Sequence, residues 1–392
     1  MKMFSLLFVP LLSFSLEFND AFDRALELSA TLKAKEQSIL ASRQNTLSEA
    51  TYKNPILSIG LNDMLLNNNF FRRDAEAMQT QFIGITQEFE TFGKLDLKEA
   101  ILRADTLILE YELEDLRLDL YKKMALKVEE ISTSTSLLEF LEEKKSNLSL
   151  LLKYSEASIN IVDAFKVSVE LQKKIFAVED KILETKEKLE AYKNEFKYLS
   201  NQDFSSINQA QIEDYFLEEN IKKSPKYKIY EIKAKQLDLN SRLEERKKYS
   251  NVSVGVTYNH RQNYDDYLSV SASFALPIYG IEEAKVQKTR HLSAENLQKE
   301  QNYMLFAVTV FQTNAKRVEY LKKRIKNLDD ILYKYKELNR YDKSNITNSV
   351  TLEKNIENEN LLLDLEIEKL KYNLEKSSAL LELFYITSGS VK

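Results

Sequence analysis

The chain has 392 residues, 30% of them charged, a net charge of −5, and only six glycines and four prolines. That composition favours long helices over a loop-rich globule, and the interspersed signs exclude nucleic acid binding, which needs a clustered basic face. With no cysteine, disulfides, thiolate metal sites and cysteine nucleophiles are excluded as well.

Met1–Ser15 carries Lys2, the apolar run Phe4–Leu12, and Ser13-Phe14-Ser15 ahead of Leu16. It reads as a secretory signal peptide, 1–15; Pro10 and the shortness of the run argue against a buried N-terminal helix. No cysteine follows to hold a lipid anchor. No later segment reaches the roughly 20 apolar residues of a spanning helix. Export is therefore expected, and any membrane crossing has to use strands.

A first structural repeat is expected over 16–208. It opens with a helix, Leu16–Lys53, capped by Asn19 or Asp20. Pro55 stops that helix. Leu57, Ile59 and Leu61 then alternate with Ser58, Gly60 and Asn62, and Ile83 and Ile85 alternate with Gly84 and Thr86. Period two means strands, placed at about 55–64 and 80–90 around a polar loop, Leu65–Thr80. From Lys94 to Ser224 there is neither Gly nor Pro, and long helices are predicted at about 94–154 and 164–198. Leu109, Leu113, Leu116, Leu120, Met124, Val128 and Ile131 form the packing seam of the first. Some sixty residues at about 1.5 Å each span roughly 90 Å, a length that calls for coiled-coil support.

The second repeat, 209–392, replays this plan. Asp214–Lys248 is its short helix, with Ser224-Pro225 inside it or near a break. Val252–Leu276 holds strands at about 251–260 and 266–276 around the tip Gln262–Asp266. Long helices follow at about 281–338 and 348–386, broken over Asn339–Asn348. Gly255 lies 195 residues after Gly60, and Ser224 lies 195 after Ser29; Gly280 lies 187 after Gly93. The first hairpin loop is therefore the longer, and no net insertion separates the long helices. The chain is a tandem duplication.

Four strands cannot close a barrel, and open strand edges are not tolerated in lipid. Outer-membrane barrels need at least eight strands, so two chains would supply eight and three chains twelve. The apolar strand faces would meet lipid, and the Ser, Gly, Thr and Asn faces would line water. A pair of soluble hairpins packed on helices explains the alternation equally well locally. It does not explain hairpins of spanning length beside such long helices and a signal peptide.

At these residues the chain resembles the TolC family of outer membrane channels. The matches are Asn54-Pro55-Ile56-Leu57-Ser58, the corner Glu88–Lys94 (EFETFGK) and the corner Leu276–Gly280 (LPIYG), together with the duplicated plan. The first two look closest to the heavy-metal branch. The resemblance implies a mainly α fold with a small β part: duplicated helix–β-hairpin–long coiled-coil helix pairs. It further implies a homotrimer with a 12-strand β-barrel continued by a 12-helix periplasmic α-barrel. The implied role is the exit duct of a tripartite efflux system, joined to a periplasmic adaptor and an inner-membrane RND pump. That places the chain in the outer membrane of a Gram-negative bacterium, in contact with its lipid and extending into the periplasm. Type I protein secretion and a pore-free periplasmic coiled-coil scaffold are the alternatives.

The family's helix tips carry a Gly-acidic-Ile-Ser type turn; here the positions read Ala157-Ser158-Ile159-Asn160 and Ser344-Asn345-Ile346-Thr347, with both glycines replaced. Aperture candidates are Asn160, Asp163, Tyr341, Asp342 and Thr347. Under three-fold symmetry Asp163 and Asp342 would form acidic rings that favour cations, although an Asp at a helix start equally serves as a cap. Gly93, Pro277 and Gly280 mark the strand-to-helix corners. Tyr258, Tyr264, Tyr267, Phe70, Phe71 and Phe89 suit interfacial aromatic belts or ordinary hairpin packing. No catalytic, cofactor or metal site is expected. His260 and His291 are the only histidines, and no phosphate loop, nucleophile elbow or metal spacing appears. Glu129-Glu130 reads as a solvated face.

Overall fold

The computed structural model describes residues 17–64, 66, 78–156, 161–204, 207–210, 215–344 and 349–391, and omits the side chains of 161–164, 342–344 and 349–352. The expected signal peptide, residues 1–15, and most of the first hairpin loop, with Phe70 and Phe71, lie outside the described residues. The elements are α1 (Phe18–Leu28), α2 (Ala30–Glu49), β1 (Ile56–Asn62), β2 (Thr80–Phe89), α3 (Lys94–Glu156), α4 (Ile161–Ser200), a short 3-10 helix (Glu218–Lys223), α5 (Pro225–Arg246), β3 (Val252–His260), β4 (Tyr267–Phe274), α6 (Ile281–Ser344) and α7 (Ser349–Thr387).

The first helix differs from its expectation. It breaks at Ser29, whose backbone is extended, and its start at Phe18 is preceded by Glu17 with no side-chain cap from Asn19 or Asp20. Ser29 Oγ accepts the Leu32 N–H at 3.3 Å, the bond of an N-cap, and that local alternative ends one helix and starts the next. The second repeat breaks at its equivalent: Ser224 caps the 3-10 helix, and Pro225 opens α5. Proline suits that first helical position, where the missing N–H costs nothing.

α3 has 63 residues and α6 has 64, so the two outgoing helices match in length. Helix α6 continues six residues past the expected 338, through residues with no Gly or Pro to stop it. The strands, at seven to ten residues, are somewhat shorter than expected. β4 stops at Phe274, opposite the first residue of β3, Val252, and Ile278 N then donates to Leu276 O at 2.9 Å in a tight turn centred on Pro277.

Two compact units draw segments from both repeats. The first takes its described residues from Met1–Lys33, Glu114–Pro225 and Met304–Lys392; the second from Ala34–Leu113 and Lys226–Tyr303. The core of the first unit gathers Phe18, Phe22 and Ala25 of α1 onto Tyr121, Met124, Ala125, Val128 and Ile131 of α3, with Phe196 and Leu381. Phe18 and Phe22 each meet Tyr121 edge-on at 5.1 Å. Leu113, Met124, Val128 and Ile131 of the expected seam are buried and Leu120 packs against the core from a half-buried position; Leu118 and Tyr121 are buried as well, while Leu116 is only half-buried. In the same unit α3 pairs with α4 through Lys145–Glu179 at 3.0 Å and Lys127–Glu195 at 2.5 Å. α6 pairs with α7 through Arg317–Glu375 at 3.2 Å, and α7 reaches α3 through Lys122–Glu382 at 3.1 Å. Leucines of α3 and α4 close around Ile356 of α7 in a second cluster. Burial of those leucines, rather than the exposed ion pairs, carries the packing energy.

Glu129 is a correction: it is not a solvated face residue but 9% exposed, with Gln209 Nε2 donating to its Oε2 at 3.0 Å. Burial holds its carboxyl above the usual value of 4.5, partly opposed by Lys376. The folded state thus keeps the proton longer, and stability falls as pH rises above 4.5 through the folded value. Glu129→Gln cannot ionise and retains an acceptor. It is expected to be the more stable protein at pH 7, with the gap closing at pH 4, as parallel thermal unfolding would show.

Candidate functional site

The two hairpins join into one antiparallel sheet of order β1-β2-β3-β4, so the duplication is closed by β2 pairing with β3. Register places Leu57, Ile85, Val256 and Val270 in one cross-strand row and Ile59, Ile83, Tyr258 and Leu268 in another. These rows share a face, because side chains directly opposite in a ladder point the same way. All eight side chains are exposed, Val270 by 75% and Ile59 by 73%. The opposite face carries Ser58, Gly84, Thr257 and Ser269 in one row and Gly60, Phe82, Asn259 and Tyr267 in the next. An uncovered apolar face backed by a small polar one is the inverse of a soluble sheet packed on helices. The outer edges of β1 and β4 have no strand partner among the described residues.

Below the sheet the chain turns into its long helices at two glycines. Gly93 has φ +68° and Gly280 φ +67°, left-handed values that cost a side chain energy. Each carbonyl accepts the first bond of the helix that follows, from Leu97 N and from Ala284 N, both at 3.2 Å. The corners otherwise differ. Phe92 is itself left-handed, with φ +60°, and its ring lies 4.7 Å from that of Tyr249.

A polar brace ties the first corner to the start of β3. Lys94, 4% exposed, donates to the Tyr249 carbonyl and, at 2.7 Å, to Asn251 Oδ1. Asn251 Nδ2 donates to Glu88 Oε1 at 2.7 Å, and Glu88 also pairs with Lys53 at 3.0 Å. Thr91 Oγ1 adds a bond to the Ser250 carbonyl at 2.9 Å, and Lys98 pairs with Glu90. Of these residues Glu88, Glu90, Lys94, Lys98, Ser250 and Asn251 border a cavity of about 630 Å³. Burial pushes the Lys94 ammonium below its usual value, with Glu90 drawing it back.

Of the residues singled out from sequence, Gly93 lies between β2 and α3, and Pro277 and Gly280 lie between β4 and α6. Asn160 and Thr347 lie outside the described residues. Asp163 falls within α4 and Asp342 within α6, but their side chains also lie outside what is described. Tyr341, near the end of α6, is 69% exposed. Tyr258, Tyr264, Tyr267 and Phe89 are all exposed. Lys94, Asn251 and Phe82 escaped sequence reading. Phe82 could have been found, since parity with Gly84 and Thr86 puts it on the polar face; the Lys94–Asn251 pair, 157 residues apart, leaves no local signal.

The fold is shared with three solved channels. CusC, whose structures follow folding and transmembrane channel formation, is 12% identical with a TM-score of 0.75, covering 95% of this chain and 92% of its own. The open state of the Neisseria gonorrhoeae outer membrane channel MtrE is 13% identical with a TM-score of 0.76, covering 94% and 88%. The Campylobacter jejuni outer membrane channel CmeC is 13% identical with a TM-score of 0.72, covering 95% and 85%. No protein-family model and no curated protein matches the chain. The fold is therefore that of outer membrane channel proteins, the one the corner motifs and the duplication pointed to, and these neighbours are channels rather than enzymes.

Proposed function

We propose that the protein is the outer membrane exit duct of a tripartite efflux system, a homotrimer that passively conducts substrates delivered by a periplasmic adaptor and an inner-membrane pump. One observation carries this reading: a four-stranded sheet with an exposed apolar face and two open edges, on the fold of outer membrane channels. Its open edges suit pairing of β4 with β1 of the next copy, and three copies would close twelve strands, leaving no edge in lipid. No described helix is long and apolar enough to cross a membrane.

The helices support the same assembly. Phe165, Phe176 and Leu183 of α4 are exposed by 73%, 70% and 67%, and Leu305 and Phe306 of α6 by 68% and 60%. Neighbouring copies in a twelve-helix tube would cover such side chains. At the free helix ends, Asn160, Asp163, Tyr341, Asp342 and Thr347 would line the aperture and meet the adaptor, the two aspartates supplying acidic rings.

The mass of the detergent-extracted protein, corrected for bound detergent by light scattering, tests the proposal. A trimer is expected. A stable monomer, or a protein recovered from the soluble fraction without detergent, sinks the barrel and favours the scaffold.

A further inference from the structure

The polar face of the sheet is built mostly of small residues, and one exception stands at its edge. Phe82 of β2 faces Gly60 of β1 in the register, and a Cβ placed on Gly60 would lie 2.7 Å from both Cε1 and Cζ of the Phe82 ring. The half-buried ring therefore leans away from β3 and lies across β1, its far end over Gly60. The other two glycines of the sheet meet short side chains instead, Gly84 the hydroxyl of Thr257 and Gly255 those of Ser271 and Thr86. β1 is the outermost strand and has no strand on its other side among the described residues. On the polar face it offers only Ser58, Gly60 and Asn62, too little to fix a register by themselves.

From this geometry we propose that Phe82 is a seam residue of the trimer: its ring, seated on Gly60, is covered by β4 of a second copy and sets the register in which that strand docks. The proposal rests on the channel reading, in which β4 of one copy pairs with β1 of the next. In such a ladder the residue opposite Gly60 has its Cβ about 4.5–5.5 Å from the Cβ position of Gly60. The ring end, 2.7 Å from that position, is within reach of the side chain that stands there.

Parity limits the candidates, since on this face β4 carries Tyr267, Ser269, Ser271 and Ser273. Three of the four are serines, so the polar face of β4 scarcely distinguishes one alignment from a slip by two residues. The ring does, because it fills one position along β1 and leaves its neighbours open. Covering it also adds apolar burial to a seam otherwise made of hydroxyls.

The test replaces Phe82 with the photoreactive analogue p-benzoylphenylalanine, which keeps an aromatic side chain on β2, and irradiates the detergent-extracted protein. Cross-links of dimer and trimer mass are expected, with the new bond mapped to β4 of the neighbouring chain. Phe82→Ala, which empties the seam without adding bulk, should dissociate from trimer to monomer about tenfold faster in detergent, as fits the loss of an aromatic contact. Gly60→Ala should push the ring off β1 and approach the same rate. The Phe82→Ala/Gly60→Ala double variant should be no faster than Phe82→Ala alone, since both act through one contact. A protein that light scattering shows to be a trimer, yet whose analogue cross-links only within its own chain, overturns the seam role and leaves the channel. So does a Phe82→Ala trimer that dissociates at the wild-type rate. A wild-type protein that is monomeric by light scattering removes the channel reading, and the seam with it.

Discussion

Val256→Arg is expected to remove the protein from the outer membrane fraction, while Thr257→Arg, one residue on, is expected to leave it there. Val256 lies at the middle of β3 and of the apolar face, in the row of Leu57, Ile85 and Val270, and it is 42% exposed. If that face meets lipid, an arginine at mid-depth costs about 2–4 kcal/mol per chain. Three-fold symmetry multiplies the cost to approximately 6–12 kcal/mol per assembly. If the face meets water, the same substitution is a surface change worth within about 0.5 kcal/mol. Thr257 points to the other face, where it lies over Gly84. Arginine there would extend into the bore and reduce conductance without hindering insertion. Fractionation and detergent-resistant trimer yield read both variants together. A Val256→Arg protein that sediments with outer membrane as the wild type does would show that this face does not meet lipid.

Lys94→Met should lower the thermal unfolding midpoint by the largest amount of any single change at the corners. Methionine matches the length and apolar stem of lysine but donates nothing. The Tyr249 carbonyl and Asn251 Oδ1, both partners of Lys94, are then left without their buried donor. Losing a bond to a charged group and stranding its partners costs roughly 2–4 kcal/mol. The pH dependence gives an independent readout. Burial lowers the Lys94 value in the folded state, so the unfolded chain binds the proton more readily and stability rises with pH in the window below 10.5. Wild type should gain on Lys94→Met as pH climbs through that window. Comparing the two proteins cancels Tyr121 and Tyr227, whose raised values act in the opposite sense in both. Equal midpoints across that range would show that the brace carries no stability.

What could be read from the chain alone were the periodicities and the repeat. Alternation of Leu57, Ile59 and Leu61 with small polar residues, repeated at Val252–Tyr258, announces strands, since a half-apolar strand shows its two faces in every adjacent pair of residues. The absence of Gly and Pro after Lys94 announces helices of unusual length. Gly93 and Gly280 mark the corners because a left-handed backbone accepts few other residues. The match of Ser29 to Ser224 was also legible, but its meaning was not. Whether a serine interrupts a helix depends on whether its hydroxyl finds the N–H of residue 32, and a string of residues does not record that bond.

Tertiary structure decided the rest, and the reason is sequence separation. That β2 pairs with β3, making one sheet from two hairpins, follows from contacts such as Ile85 with Val256, 171 residues away. The brace from Lys94 through Asn251 to Glu88 is equally long-range. Glu129 looked solvated beside Glu130 because helical neighbours say little about what another segment lays over them; Gln209 and its surroundings bury it. Phe82 carried the right parity all along, but only the register set it over Gly60, on the outermost strand. Local periodicity thus determines which residues share a face, while distant pairings determine what that face meets.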